Sequence, residues 1–359
     1  MKAEKVYVNI ELINAESTNY TELKYDEVKD IPVLHTQSRN PADNSWEVSV
    51  DRWSIMSSAI PILFFKDNAY FVTISSPAVP NPAPTAVVYV PAFEAPFSLP
   101  PYNRAIFDYT TMIEFINTAL SAAFVTAGGN VNEAPFLKYY PTTRLINLIL
   151  PQNPIIGENW YSQAFPTGWK IYMNYSLYNF FVSLPAVYLK INPPNPPINN
   201  QLDYIIVCDS LRGTNEYAAG ALFPSITYPT LVIQEEYEVL TRFQDIQKVV
   251  FTTSKIPVFC ENTPTIGQSG KARFLNTLTD FELDISFFDK STLTFNGGSN
   301  PRWITLQQDV EVRSIDVQGY WQSKDGTLYP IFLAPKSDSF TMKLAFRRRW
   351  KPVRTANRE

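Results

Sequence analysis

Asp280, Glu282 and Asp284 are the side chains of this sequence best spaced to act together. At period two, a strand points all three to one side. Three carboxylates on one face raise one another's pKa or attract a cation. The sharp reading is therefore calcium binding or acid–base chemistry. Alternate positions lie about 7 Å apart by strand rise, a separation that carboxylate-dependent glycan hydrolysis can use. The plainer reading, which the rest of the sequence favours, is an acidic edge, solvated or paired with basic groups of a neighbouring molecule. Glu235, Glu236 and Glu238 read as a second, exposed acidic run.

Other chemistry is sparsely supplied. The chain has one histidine, His35, in a polar stretch. One imidazole excludes a two-histidine HExxH zinc site, and any Ser-His or Cys-His pair would have to use it. The two cysteines, Cys208 and Cys260, lie in no CxxC and make no disulfide framework. They read as reduced, half-buried thiols of a protein assembled inside a cell. The segment GQSG at 267–270 lacks the spacing of a nucleophile elbow, and no phosphate-cradling glycine loop is present. No cofactor is expected. Asn19-Tyr-Thr21 and Asn174-Tyr-Ser176 match the glycan-acceptor pattern and read as chance matches.

Positive charge gathers at the end. Arg347, Arg348, Arg349, Lys351, Arg354 and Arg358 stand against Glu359, while the whole chain carries −4. Such a cluster either attracts phosphate without regard to sequence or forms a solvated or salt-bridging arm. The arm is favoured. Contact with nucleic acid or an inner membrane stays open.

The elements that must position these groups read as strands. Charged residues make up only 18% of 359 residues, prolines number 29, and aromatics reach 14%. Proline breaks helices and central strands, while aromatic and β-branched residues suit pleated surfaces. An all-β fold with long Pro-rich loops follows. Val6, Val8, Ile10 and Leu12 alternate with polar positions, as do Trp46, Val48 and Val50, and later Phe340, Met342, Leu344 and Phe346. Residues 62–65 and 70–74 flank Lys66-Asp67-Asn68 and predict a hairpin. Asp325-Gly326 predicts another, because its turn needs positive φ. One helix is expected near 108–128, entered by a capping box at Thr111 and Glu114 and stopped by Gly128-Gly129. The start lacks an apolar signal region, and no run is long enough to span a membrane.

Six segments in order resemble the minor capsid, or penton, proteins of Polinton-like elements, virophages and related double jelly-roll viruses. They are VYVNIELIN at 6–14, WEVSVDRWSI at 46–55 with IPILF at 60–64, MNYSLYNFF at 173–181 with LPA at 184–186, VVFTTSKIPV at 249–258, LTDFE at 278–282, and the hairpin at 315–333 with the final strand. The resemblance covers nearly the whole chain. It implies a single jelly-roll β-sandwich, a homopentamer at the fivefold vertices, trimers of a double jelly-roll major capsid protein as neighbours, and a vertex spike or fibre as a further partner. It implies a virion component that is not an enzyme. The expected organisation is an N-terminal strand and arm (1–44), a body (45–346) with insertions near 76–134 and 190–230, and a basic tail (347–359). The alternative is a β-sandwich spike or receptor-attachment module, with the loops at 86–104 and 155–169 as its contact surface.

Overall fold

The computed structural model describes residues 5–16, 19–28, 46–56, 61–90, 104–155, 157–189, 203–208, 214–259, 261–263, 273–283, 292–297, 301–307, 312, 314–324, 326–336 and 338–348. The chain divides into two units: residues 1–61 with 245–359, and residues 62–244.

In the first unit, alternating apolar residues produce eight principal strands. They are β1 (Lys5–Ile13), β2 (Lys24–Glu27), β3 (Trp46–Met56), β4 (Ile246–Thr252), β5 (Thr277–Glu282), β6 (Thr292–Asn296), β7 (Ile315–Ser323) and β8 (Ser339–Arg348). They form two antiparallel sheets, ordered β1-β8-β3-β6 and β2-β7-β4-β5. That strand order is an eight-stranded jelly roll, in which long connections cross between sheets instead of joining every neighbour by a hairpin. The register sets which face is inward. Val8, Ile10, Phe340, Leu344 and Phe346 are buried, while Tyr7, Asn9, Glu11 and Thr341 are exposed.

Aromatic rings close the space between the two sheets. Trp53 of β3 lies 5.3 Å from Phe251 of β4 and 5.3 Å from Phe281 of β5, and Phe340 of β8 lies 5.4 Å from Phe251. Each such ring buries roughly 150–250 Å² and gains further from edge-to-face contact. The expected hairpin pairing forms: Gly326 takes φ +83°, and Leu328–Pro330 pairs with β7, while Asp325 lies outside the described residues. Within β7, Gly319 admits Leu23, since a β-carbon there would stand 2.9 Å from the leucine side chain.

The second unit enters the chain between β3 and β4. Helix α1 (Tyr109–Thr126) buries Met112, Ile116, Leu120 and Phe124 and packs on Phe71–Ser75 and Phe136–Tyr140. Those strands belong to different sheets. One is ordered Ala186–Tyr188, Tyr204–Ile206, Lys170–Met173, Phe71–Ser75, Thr85–Ala86. The other is ordered Thr214–Tyr217, Thr230–Gln234, Leu145–Pro151, Phe136–Tyr140. Phe124 meets Trp169 and Trp160 at 5.3 and 6.1 Å.

Several local expectations are corrected. The helix cap is Asp108, not Thr111. Its carboxylate accepts from the Thr111 N–H at 2.8 Å and the Thr111 hydroxyl at 2.7 Å. A carboxylate reaching N3 from outside the helix satisfies an orphan donor directly. The hairpin expected across 66–68 does not form. Leu63–Phe64 pairs with Ala105–Ile106, while Phe71–Ser75 pairs with Lys170–Met173. The turn is real, with Asn68 at φ +55°, yet long-range pairing separates its two arms. The two insertions expected near 76–134 and 190–230 both fall within the second unit, which spans 62–244. Residues up to 28 of the expected N-terminal arm contribute β1 and β2, and 29–45 lie outside the described residues.

Both units hold buried carboxylates, Glu235 among them although its acidic run reads as exposed in the sequence. Asp316 on β7 accepts from the Thr253 hydroxyl at 2.5 Å, the Ser254 hydroxyl at 2.7 Å, and the Ser254 and Lys255 N–H groups at 2.9 and 2.8 Å. Burial opposes its ionisation, but these donors outweigh it and hold the pKa below the usual aspartate value. It pins the chain leaving β4. Glu235, in the second unit, accepts from the Ile146 N–H at 2.8 Å, and burial pushes its pKa up to about 7.

Two outcomes follow. Asp316→Ala leaves several buried donors unpaired and is expected to cost about 3 kcal/mol, with amide exchange at Ser254 and Lys255 rising at least ~10-fold. The native carboxylate resists protonation, so its contribution is full above an ordinary pKa of about 3.9 and is lost as pH falls through the lower native value. Glu235 has the opposite sign. Its stabilisation is full below the usual glutamate pKa and is lost as pH rises through about 7. Glu235→Gln should therefore gain about 2–3 kcal/mol over wild type at pH 8 and little at pH 4. Paired denaturant titrations at the two pH values measure this.

Candidate functional site

The basic end begins inside the sheet. Arg347 sits on β8, flanked in register by Lys5 of β1 and Glu47 of β3. Its Nε donates to Glu47 Oε2 at 2.8 Å, and its guanidinium lies 4.0 Å from the Trp303 ring centroid. Lys5 lies over the same ring at 5.9 Å. Glu47 is buried, so Arg347 neutralises a carboxylate that water does not reach. Arg347 is thus an ordered structural pair rather than part of a solvated tail. Arg348 ends β8 opposite Trp46 and is half-buried. Arg349, Lys351 and Arg354 lie outside the described residues.

The acidic edge is occupied from within the chain. Asp280 and Glu282 share a face of β5, as period two requires. The β4–β5 register places Lys248 opposite Glu282 and Val250 opposite Asp280. Lys248 Nζ lies 3.2 Å from Asp280 and 3.7 Å from Glu282, and Arg302 lies 3.0 Å from Asp280. The expected basic partners exist, but they belong to this chain, not to a neighbour. Two cations meeting two carboxylates remove most of the drive to bind a metal ion. Asp284 lies outside the described residues. Among the described residues, no three His, Cys, Asp or Glu side chains converge as metal ligands.

The other candidate groups are equally confined. Cys208 is buried, and burial pushes its thiol far above the usual cysteine range, which removes nucleophilic thiolate. His35 and Cys260 lie outside the described residues. The glycan-like Asn174 is buried as a helix cap: its oxygen accepts from Leu177 N–H, and its amide donates to the Ala69 carbonyl at 2.7 Å. Among the described residues, no helix is long and apolar enough to cross a membrane.

What the structure exposes instead is a tyrosine surface on the second unit. Tyr178 and Tyr204 stack at 4.0 Å, with Tyr188 at 5.1 Å and Tyr175 at 6.4 Å from Tyr204. Tyr175 is 62% exposed, and Tyr188 and Tyr237 are each 55% exposed. Burial, with Tyr204 and Tyr237 nearby, raises the Tyr178 phenol to about 12, so it remains a neutral donor. Sequence reading missed this cluster because Tyr188 and Tyr204 meet only through sheet pairing, which brings them against the short helix that carries Tyr175 and Tyr178. The tyrosine-rich composition of residues 175–237 was its one visible signal. Elsewhere on the unit, Pro151, Pro154, Ile155, Tyr228 and Pro229 line a cavity of about 400 Å³ with Glu133 at its wall.

The arrangement offers ordered ion pairs and an exposed aromatic surface, the ingredients of assembly. Comparisons agree. A cryo-EM chain of the Sputnik virophage shares the fold at TM-score 0.72 and 23% identity, covering 96% of this chain and 98% of that one. The mavirus penton protein shares it at TM-score 0.64 and 13% identity, covering 96% of this chain and 100% of that one. The structural protein V19 of Sputnik virophage is 23% identical over 191 residues, 52% of this chain and 84% of V19. The model of the Sputnik minor capsid protein V18/19 family matches residues 6–348. The chain belongs to that family of minor capsid proteins.

Proposed function

We propose that this chain is a penton subunit: five copies close each fivefold vertex of an icosahedral shell and contact trimers of the major capsid protein around them. The observation that carries the reading is co-extension. The jelly roll and the unit inserted between β3 and β4 together match the mavirus penton chain over its full length. A likeness confined to the eight strands would fit many unrelated proteins, since jelly rolls serve lectins and cupins as well as capsids.

The role is structural and needs no catalysis. Its free energy comes from surface burial, and obligate interfaces of this kind commonly bury upwards of ~2,000 Å². Fivefold closure uses head-to-tail contacts, in which one surface of each copy meets a different surface of the next. The protein then resides in the virion, at its vertices.

Native mass spectrometry of the purified chain, alone and with the major capsid protein, tests this. The expected species is a pentamer. A monomer under both conditions contradicts the reading, and a trimer would favour an attachment module instead.

A further inference from the structure

We propose that the tyrosine surface of one copy docks into the proline-lined cavity of the next, forming the head-to-tail contact of the ring. This rests on the pentamer reading above and assigns its interface.

A ring needs two different, complementary surfaces on one chain. The second unit carries both. The surface centred on the Tyr178–Tyr204 stack presents Tyr175, Tyr188 and Tyr237 to solvent. At the area of an aromatic side chain, their exposed parts amount to roughly 350 Å². That is close to half of the ~800 Å² per partner of a stable interface, concentrated in the residue type that dominates interface hot spots. An aromatic patch of this size is comparable to the largest patch of a typical monomer, which is often functional.

The cavity has the matching chemistry. Pro229 offers an exposed apolar ring against which a tyrosine stacks, Ile155 is 45% exposed at the wall, and Pro151 and Pro154 line the cavity as buried residues. Glu133 supplies a carboxylate near Tyr228. Exposed phenols donate hydrogen bonds, and a carboxylate only accepts them. The two surfaces therefore agree in polarity. They cannot satisfy each other within one chain, where both stand open. Asp203, beside the tyrosines, accepts from the Tyr175 N–H at 2.8 Å.

Complementation of two blocked variants tests this. The Tyr175→Asp/Tyr188→Asp double variant removes the patch, and Ile155→Asp blocks the cavity. All three substituted side chains are exposed, and unchanged thermal melting with pentamer retention by Tyr188→Phe controls for folding. Each blocked variant alone should remain monomeric at ten times the concentration at which wild type forms pentamers. An equimolar mixture should give a heterodimer and stop there, because one intact patch meets one intact cavity. Pentameric wild type with pentameric blocked variants overturns the interface while leaving the pentamer reading intact. Monomeric variants whose mixture yields no dimer also overturn it. Wild type that stays monomeric, with or without the major capsid protein, overturns both.

Discussion

The inter-sheet aromatic core is the constraint on which the first unit depends. A sheet with one apolar face must cover it, and here each sheet covers the other. Trp53 touches Phe251 and Phe281, and Phe340 reaches Phe251 across the same layer. These rings come from residues almost three hundred positions apart. Bringing them together fixes the register of the strands that carry them, since a one-residue slip would turn a ring outward. The ion pairs follow from the same register. Arg347 meets Glu47, and Lys248 meets Asp280 and Glu282, because the core has already set which residues oppose each other.

That dependence explains why a second unit can be carried between β3 and β4. Loop-closure cost grows only slowly with length, so an insertion at a surface connection leaves the sheet pairing intact. The inserted unit has its own core, with α1 between strands of two sheets and Phe124 against Trp160 and Trp169. A unit with its own core is free to devote its surface to partners. Its exposed tyrosines are consistent with that division of labour.

Sequence reading recovered what local pattern encodes. The strands at 5–13 and 339–348 alternate strictly, and the Asp-Gly turn announces its own φ, so these were legible. The helix was legible from its apolar spacing. Its cap was not, because Asp108 and Thr111 both qualify by type and only backbone geometry selects between them. The 62–74 segment misled for a general reason: a good turn predicts a reversal, not that the flanking residues pair. Arg347 looked like part of a tail because charge runs carry no register. The acidic face at Asp280 and Glu282 was correctly placed on one side of a strand, yet its partners Lys248 and Arg302 come from distant segments. The tyrosine surface was invisible for the same reason, being assembled by pairing between Ala186–Tyr188 and Tyr204–Ile206.

The central claim is that this jelly roll with its inserted unit occupies the fivefold vertices. Cryo-EM of particles assembled with the chain bearing a compact C-terminal tag tests it most directly. The account predicts tag density around every fivefold axis, with five copies of eight-stranded jelly-roll density at the same vertex. Tag density at the trimeric positions, or no ordered copy within the shell, would contradict it.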